Sequence, residues 1–171
     1  MWVVGIDPGR KGGVAIIEAH AAEVEVFPMP HDIRDLADRL EPYREDIIRV
    51  FVEKQHPVRG QGLKSTSRLM HHYGQLIGML RSLKIPFEEI PPRRWQRHFF
   101  GNGKRPRKRS KQESLCMAKD MYPSVANLIG DHDGMADAVC IAEFGRQMLW
   151  FKAVEMKRRA FDAGCDTAHC K

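Results

Sequence analysis

The stretch HDGMADAVCIA, residues 132–142, puts two aspartates at the start of an apolar run. Asp133 and Asp137 are four apart, so on a helix they share one face. Asp137 is followed by Ala138, Val139, Cys140, Ile141 and Ala142. A carboxylate in such a setting needs a partner, because burying an uncompensated charge is costly. Two further carboxylates close short apolar runs: Asp7 ends MWVVGID, and Glu53 ends DIIRVFVE. If these acids converge, they repel one another and their pKa values rise. A divalent cation removes the conflict. Oxygen-only ligation favours Mg²⁺, with Mn²⁺ as a substitute, over zinc. Two such ions about 4 Å apart can activate a water and stabilise the leaving oxygen of a phosphodiester.

Each acid also has a plainer reading. Asp7 alone suits the Asp-Pro-Gly turn that follows it. Glu53 could end a strand and pair with Lys54 or Arg59. Asp133 could cap the last helix or complement its dipole. Asp137 is the hardest to explain without a ligand.

The charge distribution points to the substrate. The chain has 171 residues, 28 basic against 22 acidic, a net charge of +6. Gly103–Lys111, GKRPRKRSK, holds six of the basic residues and no acid; without it, 22 basic residues face 22 acidic ones. The excess is therefore local, which suits a polyanion-binding loop. Hydrophobic content of 43% and charged content of 29% exclude a disordered or membrane-embedded chain. No apolar run is long enough to span a bilayer and the N-terminus lacks a signal-peptide pattern, so a cytoplasmic protein is expected. Cys116 and Cys140 read as small core residues. Cys165, His169 and Cys170 match no common zinc spacing, and the terminus around them is expected to fray.

The elements that must position these groups follow from periodicity. Three short apolar runs joined by turns predict an antiparallel meander. Ile33, Leu36, Ala37 and Leu40 have helical spacing. DIIRVFVEKQ predicts a buried strand, and STSRLMHHYGQLIGMLRSLK a long helix capped by Ser65 or Ser67. IPFEEIP predicts a fifth strand. A helix is expected from Ser110, with Ser110 and Glu113 at capping-box spacing, and a last helix from near Asp133 past Trp150 to Arg159. The implied architecture is α/β: one mixed five-stranded sheet, three strands antiparallel and the rest parallel, with helices on both faces. One domain is expected over 1–150, followed by a helical extension and flexible tail over 151–171. In such sheets ligands bind beyond the carboxyl ends of parallel strands. Parallel pairing of the first and fourth strands would set Asp7 beside Glu53.

Three motifs, in order, carry a resemblance: GIDPG at 5–9, VEKQ at 52–55 and DGMADAVCIA at 133–142. They resemble the RuvC-like Holliday junction resolvases of the RNase H-like superfamily, in their compact phage, bacterial or chloroplast forms. The likeness extends to about Trp150. It implies a homodimeric, Mg²⁺-dependent endodeoxyribonuclease that nicks two opposed strands of a four-way DNA junction, in a bacterial or phage-infected cytoplasm, with an organellar origin left open. By position it implies Asp7, Glu53 and Asp137 as metal ligands, Lys111 near the scissile phosphate, and Lys104 on DNA. Arg105, Arg107, Lys108 and Arg109 are expected to join Lys104 and Lys111 as phosphate contacts, the alternative being a targeting-like run or a solvated tether.

Two departures stand out. Family members place an Asp or His three residues before the last aspartate, where this chain has Gly134; Asp133 is the nearest replacement as fourth ligand. The aromatic wedge expected after the glutamate is missing from KQHPVRGQGLKS. There Gly60 and Gly62 would allow close backbone approach, and Arg59 and Gln61 could read base edges; the alternative is an ordinary loop. The stripe Met70, Tyr73, Ile77 and Leu80 is expected to form the dimer surface, or else to cover the chain's own sheet. Other branched DNA, RNA, or non-catalytic DNA binding remain alternatives on the same fold.

Overall fold

The first strand, β1 (Trp2–Asp7), is apolar at nearly every position because both of its faces are covered; Val3, Val4 and Ile6 are fully buried. The computed structural model describes residues 1–57, 60, 62–102 and 107–165, with the side chains of 107–110 and 161–165 left aside. β1 lies at the centre of a sheet ordered β3-β2-β1-β4-β5. Its partners are β2 (Gly13–Glu18), antiparallel, and β4 (Ile47–Glu53), parallel. β3 (Val24–Pro28) extends the antiparallel side, and β5 (Phe87–Ile90) the parallel side. The mixed sheet is thus the one the sequence predicts.

Alternation along the strands divides the core between two faces. Val4, Ile6, Val14, Ile16, Val50 and Val52 pack against α1 (Ile33–Leu40) and α2 (Leu63–Ser82). Val3, Ala15, Ile17 and Phe51 pack against α6 (Asp133–Cys165), with Trp95 of α3 (Pro92–Phe100) and Ala118 of α4 (Arg107–Met121) in the same cluster. A short α5 (Ala126–Ile129) precedes α6. Among the described residues no helix is long and apolar enough to cross a membrane.

Several boundaries differ from expectation. α4 begins at Arg107, so the second half of the basic segment is helical and Ser110 lies inside the helix instead of capping it. Arg and Lys are good helix formers and extend the helix backwards. α2 begins at Leu63 with Gly62 at its N-cap and no side-chain cap, so Ser65 and Ser67 sit within the first turns. α6 runs to Cys165, beyond Arg159, so the first part of the expected tail is helix; His169 and Cys170 lie outside the described residues. The α2 stripe covers the chain's own sheet. Tyr73, Leu76 and Leu80 are buried there, and Met70 and Ile77 pack beside them. The dimer surface expected on that stripe is therefore not available, because those side chains already fill the core.

α6 packs closely on β1. A Cβ at Gly5 would overlap the Ala138 carbonyl and the Ala142 amide. Ala138 and Ala142 are small for the same reason: the helix backbone rests on the strand. Gly5→Ala should therefore cost about 3 kcal/mol or more in urea unfolding. Gly78→Ala on α2, where an added Cβ meets nothing within 4 Å, should be neutral or stabilise by up to about 1 kcal/mol. Equal unfolding midpoints for the two variants would contradict the close approach.

Candidate active site

Asp7 and Glu53 end neighbouring parallel strands. The register pairs Ile6 with Val52, so the next residue on each strand is one of the two carboxylates. The third element is the start of α6, brought over the sheet edge by backbone contact. Gly12, in the turn between β1 and β2, forms a β-bridge with Gly134. A Cβ at Gly134 would overlap the Lys11 carbonyl and come within 2.6 Å of Gly12 Cα; one at Gly12 would overlap the Asp7 carbonyl. One at Gly13 would lie 2.6 Å from Met135 Cα. Three glycines thus let the turn press on the first turn of α6, which delivers Asp133 and Asp137 to Asp7. A side chain at position 134 has no room here.

His132 takes the capping role considered for Asp133. Its Nδ1 accepts the Met135 N–H at 3.1 Å. Asp133 is instead bonded and ion-paired to Lys111 of α4. The remaining acids are held individually. Asp7 Oδ1 accepts the Gly9 N–H at 3.1 Å. Glu53 Oε1 accepts Trp95 Nε1–H at 2.9 Å, and its Oε2 accepts from Gln55 Nε2 at 3.3 Å. The Ser114 hydroxyl of α4 donates to Asp137. Behind Gln55, its backbone N–H meets the Tyr73 hydroxyl, which donates in turn to Glu89 of β5.

The electrostatics match the geometry. Burial pushes Glu53 up to about 8, with the Asp7 and Asp137 charges adding to it. Burial pushes Asp137 up to about 7, against the Ser114 bond and with Asp7 and Asp133 adding to it. Asp7 is also raised, first by burial and then by Asp133, and the Gly9 bond, His132 and Lys111 oppose the rise. For Asp133, burial acts upward, but Lys111 outweighs it and the net shift is downward.

Glu143, farther along α6, is the informative contrast. It is also buried, yet its pKa is lowered, because Arg146, Gln147 and Tyr122 outweigh the burial. Arg146 bonds both of its oxygens, at 2.8 and 2.9 Å, and Tyr122 donates at 2.8 Å. Glu143 is a satisfied structural acid. Glu53 and Asp137 have hydrogen-bond donors but no comparable cation.

All five central residues predicted from the sequence, Asp7, Glu53, Asp133, Asp137 and Lys111, meet at this edge. Among the described residues, however, no three His, Cys, Asp or Glu side chains are gathered closely enough to hold a metal ion. Asp7, Glu53 and Asp137 remain partly exposed at the rim. Arg59, Gln61, Lys104 and Arg105 lie outside the described residues. Arg107, Lys108 and Arg109 form the first turn of α4, one turn before Lys111, and their side chains are likewise outside. Sequence reasoning missed Trp95, Gln55, Ser114 and the His132 cap. Only Trp95 carried a signal: a buried indole N–H requires an acceptor.

The raised acids set a direction for stability. The folded chain holds protons on Glu53 up to about 8 and on Asp137 up to about 7, while ordinary carboxylates release them near 4.5 and 3.8. The fold therefore binds more protons across that interval. Stability is full below it and is lost as pH rises through it. In a chelator, the thermal midpoint should fall from about pH 5 to about pH 8. Asp137→Asn should recover on the order of 1–3 kcal/mol at the upper end. Superimposable pH–stability curves for the two proteins would contradict the shift.

No protein-family model matches the chain, and no curated protein matches it. Solved structures do. The RuvC structure of Thermus thermophilus matches over 86% of this chain and 96% of its own, at TM-score 0.52 and 21% identity. The T. thermophilus RuvC in complex with Holliday junction substrate matches over the same shares, at TM-score 0.56 and 19% identity. Together with the sheet order and the acids at its edge, these matches establish that the chain has the RNase H-like fold of RuvC.

Proposed function

We propose that this chain is a Mg²⁺-dependent endodeoxyribonuclease that resolves four-way DNA junctions, acting in the cytoplasm as a homodimer. The observation that carries the proposal is the meeting of Asp7, Glu53 and Asp137 on a RuvC fold, beside the Lys111–Asp133 pair. The chemistry of the donor set suits a hard divalent cation, since every candidate ligand atom is a carboxylate oxygen; the acids would draw closer together than they stand in the structure to hold one. Burial first, and then their mutual repulsion, makes Glu53 and Asp137 keep protons near neutral pH, the condition a dication relieves. Mn²⁺ would serve by the same chemistry. Bound there, two ions would supply an activated water and charge neutralisation at the departing 3′ oxygen.

The chain's own groups would do the rest. Trp95 and Gln55 each donate one hydrogen bond to Glu53 and fix its plane. Each carboxylate oxygen keeps a second lone pair for a ligand. Gly9 and Ser114 hold Asp7 and Asp137 in the same way. Lys111 would release Asp133 for the scissile phosphate and offset the charge that develops on it. Asp133 would then be the acid free to act as fourth ligand. This replacement accounts for Gly134, whose place is filled by the Gly12 backbone. Paired nicks require two such sites, hence two protomers, joined through a surface other than the buried α2 stripe. Arg59 and Gln61 would reach bases near the exchange point, and the segment from Lys104 to Arg109 would hold phosphates.

A labelled, immobile four-way junction tests this directly. Symmetric nicks are expected with Mg²⁺ or Mn²⁺ and none with a chelator. Asp137→Asn should bind the junction as tightly as the unaltered chain but cut it at least about 10³-fold more slowly. A fork or an RNA–DNA hybrid cut as fast as the junction would assign a different substrate to the same site. Separately, exchanging Lys104, Arg105, Arg107, Lys108 and Arg109 for Gln should weaken binding and lower the slope of log K against log salt by several units, at about 0.9 for each phosphate no longer neutralised. An unchanged slope would place the segment away from DNA.

A further inference from the structure

Glu53 is held by two separate sets of bonds. On the α6 face of the sheet, the fully buried Trp95 donates to its Oε1 at 2.9 Å. The Gln55 carboxamide donates to its Oε2 at 3.3 Å. Trp95 is fixed by the core around it. Gln55 lies two residues beyond β4, where the sheet no longer fixes the chain. The pairing with β1 ends at Val52, and the ladder to β5 closes with the Lys54 N–H on the Ile90 carbonyl. The Gln55 backbone N–H therefore needs an acceptor from elsewhere.

That acceptor is the Tyr73 hydroxyl, from the middle of α2. The Tyr73 ring is packed in the core of the α2 face and is only 7% exposed, so its hydroxyl has a defined place. The hydroxyl donates its one proton to Glu89. Glu89 is in register with Val52, which puts it on the α2 face as well. With the proton committed to Glu89, only lone pairs face Gln55. The bonds therefore run one way, from the Gln55 N–H to Tyr73 and from the Tyr73 hydroxyl to Glu89. Burial first, and then the Glu89 bond and charge, raises the Tyr73 pKa, so the hydroxyl keeps its proton.

Packing α2 on the sheet does not require these polar groups. Val50, Val52, Leu76 and Leu80 fill the same face, and a phenylalanine ring at position 73 would occupy the same space. A buried hydroxyl adds a desolvation cost that only its hydrogen bonds offset. The neighbouring Glu88 shows the difference. It lies on the other face of β5 and is ion-paired with Arg94 at 2.8 Å and Arg49 at 3.5 Å. Glu89 makes no ion pair among the described residues; it is ordered by Tyr73. We infer that Tyr73 and Glu89 are positioning residues for the carboxylate site: they fix the Gln55 backbone, so that the Gln55 carboxamide holds Glu53 against Trp95 in the orientation that accepts a divalent cation. The inference rests on the proposed nuclease reading and adds two residues that no motif marks.

The test uses the full chain and two readouts. The first is the Mg²⁺ concentration that gives half-maximal junction cleavage in a single turnover. Tyr73→Phe and Glu89→Leu should raise it about 10–100-fold, as for other groups that orient a metal-binding carboxylate. Glu89→Gln keeps an acceptor for the hydroxyl and should behave as the unaltered chain. The second readout needs neither metal nor DNA. It is the indole N–H signals of Trp2, Trp95 and Trp150 in the NMR spectrum of an isotope-labelled chain, with Trp95 identified by its loss in Trp95→Phe. Tyr73→Phe and Glu89→Leu should move the Trp95 signal and leave the other two in place; Glu89→Gln should move none. If both variants lower the thermal midpoint but change neither the Trp95 signal nor the Mg²⁺ requirement, the two residues only tie α2 to the sheet and the positioning role is overturned. A moved Trp95 signal with an unchanged Mg²⁺ requirement overturns it too, because the bonds would reach Glu53 without serving the cation. If the unaltered chain cuts no junction while the signals move as expected, the nuclease reading fails and the hold on Glu53 stands.

Discussion

The site depends on one contact: the backbone of α6 lying directly on the backbone of β1 and its following turn. Gly5 admits the middle of the helix, and Gly12 with Gly134 admits its first turn. Dispersion between close-packed atoms falls off within an ångström, so this seat is sharply defined. Moving the helix outward by the width of a methyl group would withdraw Asp137 from Asp7 and Glu53. The same contact forbids a side chain at position 134. The nearest acid to that position is Asp133, four residues before Asp137.

The electrostatic consequence is a site under tension. Packing that excludes water gives the helix its fixed position, and it also removes the solvent that would support three carboxylate charges. The protein relieves this only in part. Hydrogen bonds from Trp95, Gln55, Gly9 and Ser114 orient the acids, and Lys111 compensates Asp133. The contrast with Glu143 is instructive because the two environments share one helix. There a guanidinium completes the balance, and the acid needs nothing more. Burial alone does not decide the shift; burial without a guanidinium in direct contact raises Glu53 and Asp137, and burial with one leaves Glu143 lowered.

Much of this was legible beforehand because it is local. The continuous apolar character of Val3–Ile6 and Val50–Val52 marked central strands, and Asp7 and Glu53 stood out as acids ending them. Asp137 stood out inside an apolar helix. Element ends were less legible. The Arg- and Lys-rich run reads as a loop by charge, yet its helix propensity carries α4 back to Arg107. The α2 stripe was ambiguous because an apolar face fits a partner chain and a neighbouring sheet equally well.

The sequence by itself determined which residues are charged, which are small, and where periodicity changes from two to 3.6; the four central acids and the mixed sheet follow from that, and Lys111 from the resemblance its motifs carry. Only the tertiary structure decided that His132 caps α6, that Lys111 pairs with Asp133, that Trp95 holds Glu53 from 42 residues away, and that Gly134 is closed by another backbone. Apart from the His132 cap, which spans three residues, these contacts join segments distant in the chain. Their partners are set by how two helices and two strand ends pack around one edge, a long-range arrangement that no local spacing encodes.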